Sequence, residues 1–168
     1  MKVTILGSGA YGIALALMFN ENKCDITLWE KFEEHAKQLR ETRINDRVLP
    51  NVLIPKNIKI MSDLEESIKN SELIVIAIPA GFVDEVASEL SKYIKKGQHI
   101  CIATKGIEQD TCLFITDVVQ KYIKTKNIAA ISGPSFAVDI ANHVPIGLTL
   151  ATKNKKTAAL IHQGLENK

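Results

Sequence analysis

A chain of 168 residues, 46% of them hydrophobic, can enclose one sizeable core and reads as a single large domain. Its 21 basic and 19 acidic residues leave a net charge of +2, and no basic stripe is interleaved with aromatics, which argues against nucleic acid as the partner. Three cysteines (Cys24, Cys101, Cys112) without CxxC spacing argue against a disulfide framework or a zinc site and suit a reducing cytosol. "MKVTILGSG" lacks a secretory pattern and no apolar run reaches the length of a membrane span, so a cytoplasmic location is expected.

Taken in chain order, short β-rich runs alternate with segments of helical period. Strands are expected at 2–6, 25–29, 58–61, 73–78, 99–103, 128–131 and 146–151. Helices are expected at 11–22, 33–42, 82–93, 111–122, 135–142 and 155–166, with Ser62-Asp63 capping a shorter one over "LEESIKN". Continuous runs such as "LIVIAI" fit strands buried on both faces. The alternation implies βαβ crossovers and an α/β fold, a doubly wound, mostly parallel sheet of the Rossmann type. The stretch 43–57, with Pro50 and Pro55, is the longest irregular segment and could cover a ligand edge.

The densest motif is "KVTILGSGAYGIALALMF". A strand runs into Gly7-Ser8-Gly9-Ala10-Tyr11-Gly12 and a helix follows. Gly7 permits the tight turn, Gly9 lets a pyrophosphate approach the backbone, and Gly12 lets helix and strand pack closely. The N–H groups and dipole at the helix start favour a phosphate. Glu30 stands 18 residues after Gly12, at the end of the second strand, where an acid can hold a ribose 2′-OH. Such an acid repels a 2′-phosphate, whereas the adjacent Lys31 could pair with one. The expected cofactor is therefore NAD or NADP, leaning to NAD.

Other strand ends face the same rim. The 73–78 strand ends in Ile78-Pro79, whose backbone could border the cofactor. "CIATKGIE" places Lys105 at another strand end, where it could bind an anion or polarise a carbonyl. "ISGPSFA" follows a third strand, with Gly133 exposing backbone and Ser135 positioned as the N-cap of a new helix. The four histidines (His35, His99, His143, His162) are scattered and suggest no metal.

"GSGAYGIALA", "TLW", "VLP", "AIP", "ATKGIE" and "SGPSFA", in this order, resemble the N-terminal half of NAD(P)-dependent glycerol-3-phosphate dehydrogenases across essentially the whole chain. The resemblance implies hydride transfer between sn-glycerol 3-phosphate and dihydroxyacetone phosphate, a small-molecule substrate, and a homodimer for a full-length protein. It implies cofactor contacts at Ala10, Tyr11, Lys105 and Ala137, and substrate contacts at Lys105, Gly133 and Ser135. Three positions depart from the family's habit: Ala10 stands where Ser is frequent, Val48 where Tyr is usual, and Glu30-Lys31-Phe32 where many bacterial members carry Arg or His. The family's general acid/base lysine belongs to a second, helical domain expected outside these residues, so no catalytic residue is expected within 1–168 and this segment is expected to bind cofactor only. Another Rossmann dehydrogenase (6-phosphogluconate or 3-hydroxyacyl-CoA type) and a non-catalytic dinucleotide sensor are the alternatives.

Overall fold

The computed structural model describes residues 1–166. Its main sheet contains β1 (Lys2–Leu6), β2 (Asp25–Trp29), β5 (Lys59–Met61), β6 (Leu73–Ile76), β7 (His99–Ile102), β8 (Ile128–Ser132) and β9 (Thr149–Ala151). The strand order is β5-β2-β1-β6-β7-β8-β9, parallel throughout except for β9, which runs antiparallel on the edge beside β8. This is the doubly wound sheet expected from the sequence. Because the six other strands are parallel, their carboxyl ends share one rim, which is where ligands of such sheets bind.

The apolar runs explain the two-sided burial. Along β1 and β6 alternate residues face opposite sides of the sheet, as the two-residue period requires. Val3, Ile5, Leu73 and Val75 join one core cluster, while Leu6, Ile74 and Ile76 join the other. Helices α1 (Ala10–Glu21) and α7 (Lys155–Leu165) cover the first face; α3 (Leu64–Ile68), α4 (Val83–Leu90) and α5 (Ile115–Tyr122) cover the second. Helix α1 is apolar nearly all round because α6 (Ala137–Ala141) and α7 close over the side that the sheet leaves. Phe19 is fully buried there, a contribution of about 1.5–3 kcal/mol from its burial alone. Gly164 of α7 lies so close to that ring that an added Cβ would sit 2.2 Å from it.

Polar groups inside this frame are satisfied. Thr4 in the central strand donates to the Ser67 carbonyl (2.6 Å) and meets the Ser71 hydroxyl at 2.5 Å. Asp63 caps α3 by accepting from the Glu66 N–H, as its position before "LEES" predicts.

Three expectations need correction. The stretch 43–57 is not wholly irregular: β3 (Ile44–Asn45) and β4 (Leu49–Leu53) form a small antiparallel hairpin after α2 (Glu33–Thr42). Leu49 and Ile54 anchor it in the core. A two-residue strand is too short for alternation to register in sequence. The second correction concerns Ser135. Helix α6 is capped from Phe136 and begins at Ala137, without a side-chain cap, so Ser135 is not the N-cap. Its hydroxyl is turned elsewhere, as described below. Helix α5 also starts later than the expected residue 111, because the Glu108 carboxylate holds the Asp110 and Thr111 N–H groups in a loop.

Candidate functional site

The rim is built from five successive strand ends. β1 runs out at Gly7, whose N–H donates to the Trp29 carbonyl (3.0 Å), so the turn is locked to β2 before α1 begins. The turn is extremely tight: a Cβ on Gly12 would lie 2.0 Å from the Gly7 carbonyl oxygen, and only glycine fits. Gly9, the N-cap of α1, is the opposite case. A Cβ there would meet nothing within 4 Å, no side chain caps the helix and no acid occupies its first turn. The backbone at Gly9 thus presents an open face and the positive end of a twelve-residue helix, which fits a dinucleotide phosphate.

At the end of β2, Glu30 is only 14% exposed at its side chain. One carboxylate oxygen accepts from the Ser8 hydroxyl and the other from the Phe32 N–H (3.0 Å), so the acid is aimed at the glycine loop. Lys31 pairs with Glu85 of α4 at 2.7 Å. Asn45 of the hairpin donates to the Ser8 carbonyl (3.1 Å) and ties β3 to the same loop. Sequence reasoning missed Ser8, Asn45 and Glu85; only Ser8, inside the glycine motif, had a local signal.

After β6 the chain turns through Ala77, Ile78 and Pro79 into a short 3₁₀ turn, Ala80–Phe82. The Ile78 carbonyl accepts from the Thr104 hydroxyl (2.9 Å), which joins this turn to the one after β7. Pro79 is exposed on the rim.

Lys105, Tyr11 and Ser135 come together from three separate loops. The Lys105 ammonium stands 4.7 Å from the centroid of the Tyr11 ring and donates to the Ser135 carbonyl at 3.3 Å. The Tyr11 hydroxyl meets the Ser135 hydroxyl at 3.1 Å. Burial pushes the Tyr11 phenol above its ordinary range, with the Ser135 hydrogen bond opposing that shift. Lys105 is exposed, where a cation over a tyrosine face contributes about 0.5–1 kcal/mol, and the ring and the Ser135 carbonyl together orient its ammonium. Ser135 is buried, and its hydroxyl also lies 3.4 Å from the Gly133 carbonyl.

Gly133 has a packing reason for being glycine. Its φ is +157°, and a Cβ would lie 2.3 Å from the Gly147 carbonyl oxygen. Ala137 opens α6 and packs against the core cluster that includes α1.

The histidines serve local contacts. His99 meets the buried Thr157 hydroxyl at 2.8 Å, and His143 pairs with Glu21 at 3.1 Å. A cleft of about 770 Å³ is lined by apolar residues including Ile140, Val144, Leu148 and Ile161; none of the residues expected to touch cofactor or substrate lines it.

A family model described as "NAD-dependent glycerol-3-phosphate dehydrogenase N-terminus" matches residues 2–158. The chain belongs to that family. The glycerol-3-phosphate dehydrogenase [NAD(P)+] of Fusobacterium nucleatum is 34% identical over 158 residues, 93% of this chain and 47% of that protein. The corresponding enzyme of Agathobacter rectalis is 32% identical, over 95% of this chain and 48% of its own length. A crystal structure of glycerol-3-phosphate dehydrogenase from Coxiella burnetii superposes with a TM-score of 0.92 at 28% identity, covering 99% of this chain and 51% of that one. The chain therefore spans about half the length of the curated relatives it matches. It is the NAD(P)-binding, N-terminal part of the glycerol-3-phosphate dehydrogenase fold, and NAD or NADP is the cofactor of its family. No helix among the described residues is long and apolar enough to cross a membrane.

Proposed function

We propose that this chain supplies the cofactor half, and one wall of the substrate site, of an enzyme that interconverts sn-glycerol 3-phosphate and dihydroxyacetone phosphate. The observation that carries this reading is the meeting of Tyr11, from the glycine loop, with Lys105 and Ser135, from the family's two most specific loops. The nicotinamide cofactor, when bound, supplies the hydride acceptor or donor. The chain's own residues bind and orient. Gly7, Gly9, Ala10, Tyr11 and Gly12 form the pyrophosphate cradle at the start of α1, with Ile78, Pro79 and Ala137 bordering the cofactor.

Glu30 takes the ribose 2′-OH, which favours NADH over NADPH, because a carboxylate accepts from a hydroxyl and repels a phosphate. Lys31 flanks the same position. Lys105 presents its ammonium to the anionic substrate or to the developing alkoxide, and the Tyr11 face with the Ser135 carbonyl fixes where that charge sits. Gly133 and Ser135 line the substrate side. The proton-transferring lysine belongs to the family's helical half, so this chain contributes binding and electrostatics. A cytoplasmic location, a homodimeric whole enzyme and a small phosphorylated substrate complete the proposal.

The test is Lys105→Ala in a protein carrying both halves of the enzyme. Its kcat/KM for dihydroxyacetone phosphate should fall roughly tenfold or more, the scale of losing one charged contact to the transition state. Unchanged kinetics would reject the role assigned to Lys105.

A further inference from the structure

The charges at the mouth between the ends of β2 and β6 suggest how this chain discriminates between its two candidate cofactors. Lys31 directly follows Glu30 at the end of β2, and its ammonium lies 2.7 Å from the carboxylate of Glu85 in the first turn of α4. Since β1 lies between β2 and β6, this pair reaches across the front of the strand that carries the glycine loop. Phe32, the residue after Lys31, and Phe82, three residues before Glu85, are 59% and 55% exposed.

We infer that Glu85 is a specificity-determining residue: by holding Lys31, it withholds the cation that would otherwise receive a 2′-phosphate, and so biases the site toward NADH. This rests on the dinucleotide-binding reading above. The Glu30 carboxylate, held by the Ser8 hydroxyl and the Phe32 N–H, is placed to accept from a neutral ribose hydroxyl. The Lys31 ammonium is paired with Glu85 alone, and Glu30 adds a second carboxylate at the end of β2, so the three side chains sum to −1; His35 stands 3.9 Å from Glu30. A 2′-phosphate would carry about −1.5 to −2 charge into that field. To bind it, Lys31 would have to abandon Glu85 while Glu85 remained as a like charge.

The pair is well exposed, at 38% and 61% of the two side chains, so its own stability contribution is small and its removal leaves the fold intact. Its effect is felt in the competition between carboxylate and phosphate for one ammonium, where the phosphate offers charge-assisted hydrogen bonds. Helix-start acids such as Glu85 also complement the α4 dipole. That role alone would not distinguish two cofactors that differ in a single phosphate.

The experiment is a set of binding titrations of the 168-residue chain with NADH and with NADPH at low salt, for the wild type, Glu85→Gln, Lys31→Met and the double variant. The wild type should prefer NADH. Glu85→Gln should tighten NADPH about fivefold or more, leave NADH within about twofold, and lose the gain as salt is raised. In the Lys31→Met background the same substitution should give little or no NADPH gain. The inference is overturned if Glu85→Gln leaves NADPH affinity unchanged, or if the gain persists without Lys31. If neither dinucleotide binds the wild type, the dinucleotide-binding reading itself fails and the inference falls with it.

Discussion

Tyr11 and Ser135 lie 124 residues apart in sequence, yet their hydroxyls meet at 3.1 Å. One belongs to the glycine loop after β1 and the other to the loop after β8, so this contact closes the rim between the cofactor side and the substrate side. The coupling should be measurable. Tyr11→Phe and Ser135→Ala should each cost about 0.5–1.5 kcal/mol of unfolding free energy, and the double variant should lose less than the sum of the two. Full additivity in urea unfolding would show that the hydroxyls do not interact. Because burial raises the Tyr11 pKa, the phenol's contribution is complete below the ordinary tyrosine value and is lost as pH rises from that value through the raised one.

The glycine loop offers a paired test that separates fold from function. In Gly12→Ala the new methyl would collide with the Gly7 carbonyl, and the stability loss should be about 1–3 kcal/mol or more, with cofactor binding lost as well. Gly9→Ala meets open space and keeps ordinary dihedrals, so stability should change by less than about 1 kcal/mol. Its cofactor affinity should nevertheless fall at least about tenfold, because the methyl occupies the approach to the backbone. Thermal melts and binding titrations on the two variants check both halves of this statement.

These two glycines also show how far the sequence could be read. Gly12 had a legible reason, since its spacing from Gly7 fixes the close crossing of strand and helix. Gly133 did not. Its partner is the Gly147 carbonyl, brought there by the antiparallel return of β9, and nothing local to "SGPS" announces that approach. The parallel core was legible because runs such as Leu73–Ile76 are apolar without interruption. The hairpin at β3 and β4 was not, because Asn45 gains its place from a contact with the Ser8 carbonyl rather than from periodicity. Ser135 looked like a helix cap by residue type; burial beside Tyr11 instead turned its hydroxyl toward the glycine loop. Side-chain pairings across loops, including Lys31 with Glu85, are set by strand order, which local patterns do not encode.

Cys101 predicts a pH dependence. Full burial in β7 pushes its thiol up to about 12, from an ordinary 9.0. In the unfolded chain the thiol ionises first, so the folded state holds the extra proton and stability falls as pH rises from about 9 toward 12. The slope from this group is at most about 1.4 kcal/mol per pH unit. Cys101→Ala should be less stable than wild type near neutral pH yet lose less stability on going alkaline. Parallel stability curves for the two proteins between pH 8 and pH 11 would contradict the assignment.

The cysteines also differ in access. Cys112 is exposed, whereas Cys24 and Cys101 are buried. A thiol reagent should therefore modify one cysteine promptly in the folded chain and the other two only on unfolding. Rapid modification of all three under native conditions would show that the sheet does not close over Cys101 as described.

The most direct test is a titration of this chain with NADH, followed by the transfer of the cofactor's fluorescence or by calorimetry. Saturable binding at one site per chain is the expected result, weakened at least about tenfold by Gly9→Ala while the thermal midpoint stays close to that of the wild type. An absence of binding, or binding indifferent to Gly9→Ala, would contradict the claim that the glycine loop at the start of α1 is a dinucleotide site.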